Sequence, residues 1–162
     1  MKTLYILRHA KSSRKDGNLS DIERPLNGRG RRDSKTIGDL LKKEKITPDL
    51  VLSSSAVRTR ETTEIVLSAA RLSTDVRYDE RMYDAGAHRL LEVVRQIEKN
   101  KKSVLLVGHN PGLEEFLELL TGTVETMPTG ALSKVVLKTS DWTSLAEKVG
   151  TFEWMVKPKE LI

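Results

Sequence analysis

The chain has 162 residues, 38% hydrophobic and 31% charged, a globular mixture that excludes a disordered polymer. It has no cysteine, which excludes a disulfide framework and any thiolate nucleophile or metal site, and its net charge of +5 favours anionic partners. Aromatic residues are only 4%, which argues against a base-stacking nucleic-acid surface, and no apolar run is long enough for a signal peptide or a membrane span. A soluble cytoplasmic protein of one domain, residues 1–162, is expected.

In chain order, "TLYIL" (3–7) reads as a buried strand that ends at Arg8 and His9. Residues 11–30 are poorly patterned, carry Gly17, Gly28 and Gly30, and are expected to form a loop over a site. Ile37, Leu40 and Leu41 have helical spacing between Asp33 and Glu44. "DLVLSS" (49–54) is a second strand, set off by Pro48, and a helix follows over 56–70. "TDVRYDE" (74–80) predicts a third strand, and Leu90, Val94 and Ile97 the stripe of another helix. "SVLLVGH" (103–109) is the clearest strand, a continuous aliphatic run bounded by a turn signal. Leu113, Phe116, Leu117 and Leu120 form a helical stripe that stops at Gly122. "ALSKVVLK" (131–138) and "TFEWMVK" (151–157) predict an antiparallel pair, with Trp154 expected in the core.

Strands alternating with helices imply an α/β sandwich on a largely parallel sheet. Ligands bind such sheets beyond the carboxyl ends of the strands. Three predicted strands end in polar groups: Arg8-His9, "SSSAVRTRET" (53–62) and Gly108-His109-Asn110-Pro111. If parallel, they share one rim. On a helix starting near Ala56, Arg58 shares a face with Thr62, Ile65 and Ala69, so it is expected to point inward and to need an anion, either a ligand or a buried carboxylate. Arg60 lies on another face and is expected in solvent. Asn110 is the expected N-cap of the next helix, with Pro111 in its first position. Two histidines and two arginines on one rim point to a phosphate pocket. A metal there is disfavoured because Arg8 and Arg58 repel cations.

"LRHAKSS", "RPLNGRG", "SSSAVRTRET" and "VGHNPGL" together resemble the histidine phosphatase superfamily and its RHG motif, with Ala10 in place of the usual glycine. The short chain, "RHAKS", "RPL" and "GHNPGL" are similar to its SixA branch, the phosphohistidine phosphatases. The resemblance implies a phosphoglycerate-mutase-like, three-layer α/β/α sandwich with a mostly parallel central sheet. It implies that His9 is a nucleophile forming a phosphohistidine intermediate. Arg8, Arg58 and His109 would surround the phosphoryl group, and Arg24 would be a further substrate-binding arginine. Many superfamily members carry an acid after the third strand, and Glu80 in "YDERMYD" (78–84) matches it, with Asp79 and Asp84 as neighbours.

Phosphoryl transfer needs in-line positioning and neutralisation of the equatorial oxygens, which fixed guanidinium groups supply without a metal or cofactor. Nearby arginines should keep His9 unprotonated, and an acceptor on its other nitrogen should set the tautomer. The expected partner is a phosphorylated protein or a small phosphate ester, with no specific nucleic acid and no membrane. The expected activity is a metal-independent phosphatase acting on protein phosphohistidine. A phosphatase of a small metabolite or nucleotide, and a phosphate-binding module without turnover, are the alternatives. His88 matches no motif and is expected on the surface.

Overall fold

A computed structural model of the chain describes residues 1–161. Its strands are β1 (Lys2–Arg8), β2 (Leu50–Ser54), β3 (Val76–Asp79), β4 (Ser103–Gly108), β5 (Leu132–Leu137) and β6 (Gly150–Val156). Its helices are α1 (Gly28–Lys43), α2 (Val57–Ala70), α3 (Ala87–Arg95) and α4 (Gly112–Thr121). The six strands form one sheet in the order β3-β2-β4-β1-β5-β6. The first four run parallel, β5 runs against β1, and β6 against β5. The predicted antiparallel pair is therefore present at one edge.

Both faces of the sheet are covered, which is why its central strands read as unbroken aliphatic runs. Side chains alternate between the faces. Leu4, Ile6, Leu50, Leu52, Val104 and Leu106 pack with α3 and α4 through Leu90, Val94, Phe116 and Leu117. Tyr5, Leu7, Val51, Leu105 and Val107 pack with α1 and α2 through Ile37, Leu41, Val66 and Leu67. Leu4, Ile6 and Leu106 are wholly buried, and each such side chain contributes about 2 kcal/mol by burial. This is the expected three-layer sandwich. Trp154 is half-buried on the second face, its ring 6.3 Å from that of Tyr5.

Three local expectations change. First, α1 begins at Gly28 and not near Asp33, because Asn27 caps it by accepting from the Gly30 backbone N–H at 2.8 Å. Gly30 is required there: a Cβ would lie 2.1 Å from the Lys11 carbonyl oxygen. That contact and the bond from Asn27 N–H to the Lys11 carbonyl (3.0 Å) lock the start of the 11–27 loop onto the helix. Second, Asn110 does not cap α4. Pro111 occupies the cap position, and the Asn110 amide donates instead to the Met127 carbonyl at 2.8 Å. Third, Ile65 and Ala69 are only half-buried; the α2 face on the sheet is Thr59, Thr62, Thr63, Val66, Leu67 and Ala70. Arg58 is nevertheless buried, because the first turn of α2 lies under the loop containing Asp21. Among the described residues, no helix is long and apolar enough to cross a membrane.

Candidate active site

The carboxyl ends of β1, β2 and β4 are adjacent, because β4 lies between the other two. They open into a cleft of about 510 Å³ roofed by the 11–27 loop. Arg8, His9, Arg24, Arg58, His109 and Asn110 all line it. The rim inferred from three strand tips is thus one site, and the poorly patterned segment is its loop.

His9 follows β1 directly, and its backbone N–H bonds the Gly108 carbonyl across to β4 at 3.0 Å. Its ring is buried. Nδ1 lies 2.7 Å from the Ala10 carbonyl oxygen. A carbonyl only accepts, so in the neutral ring Nδ1 carries the proton and Nε2 carries the lone pair. The Ala10 N–H donates to Thr62 Oγ1 (3.1 Å), whose hydroxyl donates to the Arg58 carbonyl (2.7 Å). The acceptor that fixes His9 is therefore itself held by α2. Burial first, then His109, Arg58 and Arg8, lowers the His9 pKa to about 3 against the pull of the Ala10 bond. The expected neutral ring is present, but burial outweighs the arginines in producing it.

His109 stands at the tip of β4, its ring centroid 5.2 Å from that of His9. Its Nε2 is 2.8 Å from Ser54 Oγ at the end of β2. Burial and then Arg58 lower its pKa to about 4. Ser54 was not singled out in the sequence, although it stands in the second strand tip.

Arg8 reaches the Met127 carbonyl through Nη1 at 3.0 Å, and the same carbonyl holds the Asn110 amide. Gly112 lets α4 start close by, since a Cβ there would meet the Ala85 carbonyl oxygen at 2.0 Å. Arg58 donates to the Asp21 carbonyl (2.6 Å) and the Asp21 carboxylate (3.0 Å). Arg24 meets the same carboxylate at 3.2 Å, and the Tyr83 hydroxyl donates to it at 2.5 Å. The Tyr83 bond and then Arg58 hold Asp21 down at about 2, so it is ionised at neutral pH.

Asp21 and Tyr83 are the functional-site residues that sequence reasoning missed. A signal for Asp21 existed: Ser20 and Glu23 have the spacing of a capping box, and both the Ser20 N–H and hydroxyl bond the Glu23 carboxylate (3.1 and 2.6 Å). The resulting 3-10 turn, Asp21–Glu23, brings Asp21 against Arg24. Glu80 is not brought into the site. It is exposed at the start of a 3-10 turn beyond β3, and it does not line the cleft. Asp79, its neighbour, is taken up by Arg81 at 2.7 Å. Among the described residues, the only carboxylate lining the cleft is that of Asp21. Arg60 is exposed and stacks over Tyr78, and His88 is exposed on α3, both as expected.

Among the described residues, buried polar atoms without a partner concentrate here: Arg8 Nε, Arg24 Nη1, Arg58 Nε, His109 Nδ1 and Asn110 Oδ1. Leaving buried donors unpaired costs about 1–3 kcal/mol each, more when charged. Three guanidinium donors around a neutral imidazole are suited to an oxyanion, whose acceptors would satisfy them. No group of three or more His, Cys, Asp or Glu side chains that could hold a metal ion occurs among the described residues.

Comparison with known proteins agrees with this geometry. An uncharacterized protein of Mycobacterium tuberculosis is 36% identical over 120 residues, 72% of this chain and 73% of that one. The candidate phosphohistidine phosphatase SixA of Agrobacterium tumefaciens superposes with a TM-score of 0.83 at 29% identity, over 97% of this chain and 98% of that one. A mycobacterial glucosyl-3-phosphoglycerate phosphatase, solved with VO3, shares the fold at a TM-score of 0.71 and 15% identity, over 95% of this chain and 98% of that one. The model of the histidine phosphatase superfamily (branch 1) matches residues 4–88, which include Arg8, His9, Arg24 and Arg58. The chain belongs to the histidine phosphatase superfamily, branch 1, and within it is SixA-like.

Proposed function

We propose that the protein is a phosphohistidine phosphatase, acting in the cytoplasm on a phosphorylated histidine of another protein. Its His9 Nε2 attacks phosphorus, the bond from phosphorus to the substrate imidazole breaks, and phosphate is carried on His9. Water then attacks phosphorus, the bond to Nε2 breaks, and inorganic phosphate leaves. The proton stays on His9 Nδ1 throughout, hydrogen-bonded to the Ala10 carbonyl oxygen, so the ring returns to its starting tautomer. Arg8, Arg24 and Arg58 neutralise the equatorial oxygens, and His109 lines the pocket beside His9, its ring centroid 5.2 Å away.

The observation that carries the reading is the protonation inventory of the cleft. Its one carboxylate among the described residues, Asp21, is ionised and tied to Arg58, Arg24 and Tyr83, and Glu80 lies outside. An alkyl phosphate must receive a proton at its bridging oxygen inside the site, which calls for a neutral acid there. Phosphohistidine takes its proton on the distal ring nitrogen from water and leaves as neutral imidazole. A site without a resident acid is matched to the second leaving group. The test is phosphate release from a phosphohistidine protein, beside a phosphoserine protein and a panel of small esters, with His9→Ala as control. Selective, His9-dependent release from phosphohistidine is expected. Faster turnover of one small ester would move the function into metabolism.

A further inference from the structure

The cleft is larger and more positive than one phosphoryl group requires. Among the described residues, six cationic side chains line it, Arg8, Lys11, Arg14, Lys15, Arg24 and Arg58, against the single carboxylate of Asp21. Both histidines are neutral, so they add nothing to this imbalance at physiological pH. A phosphoryl group supplies at most about two negative charges. With Glu114 standing near Arg8, about two positive charges are then left over in one continuous cleft, and they fall on its outer side.

The surplus has a definite place. Arg8 and Arg58 are the inner cations, with backbone and carboxylate partners that fix them. Lys11, Arg14 and Lys15 form the outer rim, on the loop leaving His9; all three are exposed, and none is ion-paired among the described residues. Of the acidic residues of the same loop, Asp16 bonds the Asn18 N–H and Glu23 turns back on Ser20, and neither lines the cleft. The loop is sorted by charge, with its cations on the cleft side. Its base is held by Gly30 against Lys11 and by the Ser13 N–H on the Pro25 carbonyl (2.7 Å), so the rim keeps its place relative to His9.

We infer that Lys11, Arg14 and Lys15 are a specificity rim that reads acidic residues flanking the phosphorylated histidine of the partner protein. The inference rests on the phosphohistidine reading for its substrate class. Exposed cations of this kind steer and select partners more than they tighten a complex, and salt screens their effect. A protein surface fits better than a small molecule, because the three side chains stand on an exposed rim and Asp21 at the cleft mouth is itself half in solvent.

The test separates binding from turnover. Phosphohistidine peptides with acidic, neutral or basic flanks are titrated by fluorescence anisotropy onto His9→Ala protein, with and without Arg14→Glu/Lys15→Glu. Arg14→Gln/Lys15→Gln serves as the milder pair, and circular dichroism confirms folding. We expect the acidic peptide to bind about ten-fold more tightly than the neutral one at low salt. This ratio should fall towards one in the Glu pair and in 0.5 M salt, a concentration well beyond the range in which such charges act. Equal affinity for acidic and neutral peptides, or a ratio unmoved by both substituted pairs, would overturn the rim. So would a rim-dependent preference confined to a small bisphosphate. Turnover of the same peptides by the unsubstituted protein reports separately on the phosphohistidine reading. A preserved ratio without turnover would sink that reading and leave the rim standing.

Discussion

The tips of β1 and β4 and the tip of β3 all belong to the parallel half of the sheet, yet only the first two line the cleft. β1 and β4 are central, so a residue just beyond either strand is walled by neighbours on both sides. His9 and His109 are buried there, and their pKa values fall far below that of a solvated imidazole. β3 is an edge strand, so Glu80 just beyond it faces water and stays clear of the cleft. Position in the strand order, more than residue type, decides which polar side chain enters the cleft.

Substitution at the central tip should do most damage. His9→Ala should lower kcat by about 10⁴-fold or more while phosphate or vanadate still protects the protein from thermal unfolding. Loss of both together would mean that His9 shapes the pocket and does not only attack. Next comes Arg58→Ala, which removes the cation linking α2 to the roof; a fall of about 10²–10³-fold in kcat/KM is expected. Asp21→Asn keeps the size and removes the charge that aligns Arg58. Here kcat should fall about ten-fold with KM for the phosphorylated substrate little changed, because the error is one of placement. A rise in KM alone would make Asp21 a binding residue.

The same contrast has a pH signature. Folded His9 and His109 refuse protons that the unfolded chain accepts below about pH 6.5. The unfolded state binds more protons in that window, so stability must rise with pH and fall on acidification. Between pH 6 and 4 the loss should approach about 1.4 kcal/mol per histidine per pH unit, read from urea midpoints and reduced in His109→Gln. The smallest effect belongs to the edge: Glu80→Gln should change kcat/KM on phosphohistidine by less than about two-fold, within the range of a surface substitution. A hundred-fold loss would show that Glu80 acts in the site after all.

The layers, the shared rim of three strand ends and four of the site's side chains are legible in the sequence because they follow periodicity or strand ends. Arg58 is the instructive case. Its burial was inferred from a face that included Ile65 and Ala69, and the structure buries Val66 and Leu67 instead. The conclusion survived because Arg58 sits in the first turn, beneath the roof loop. Asp21 was harder, since residues 11–27 have no repeating pattern and are shaped by pairings such as Asn27 with Lys11. Tyr83 reaches Asp21 from 62 positions away, a contact that no local pattern encodes. Glu80 was placed by motif context alone, and motif context does not say that β3 ends at the sheet's edge.

Position 10 holds alanine where the family motif has glycine, yet what orients His9 is the main-chain carbonyl at that position. Every amino acid supplies that oxygen. Sequence drift at position 10 therefore leaves the nucleophile's tautomer intact, and is limited only by the room for a side chain in a place where Ala10 is wholly enclosed. Evolution has left the most delicate proton in the molecule in the keeping of an atom it has no means to mutate.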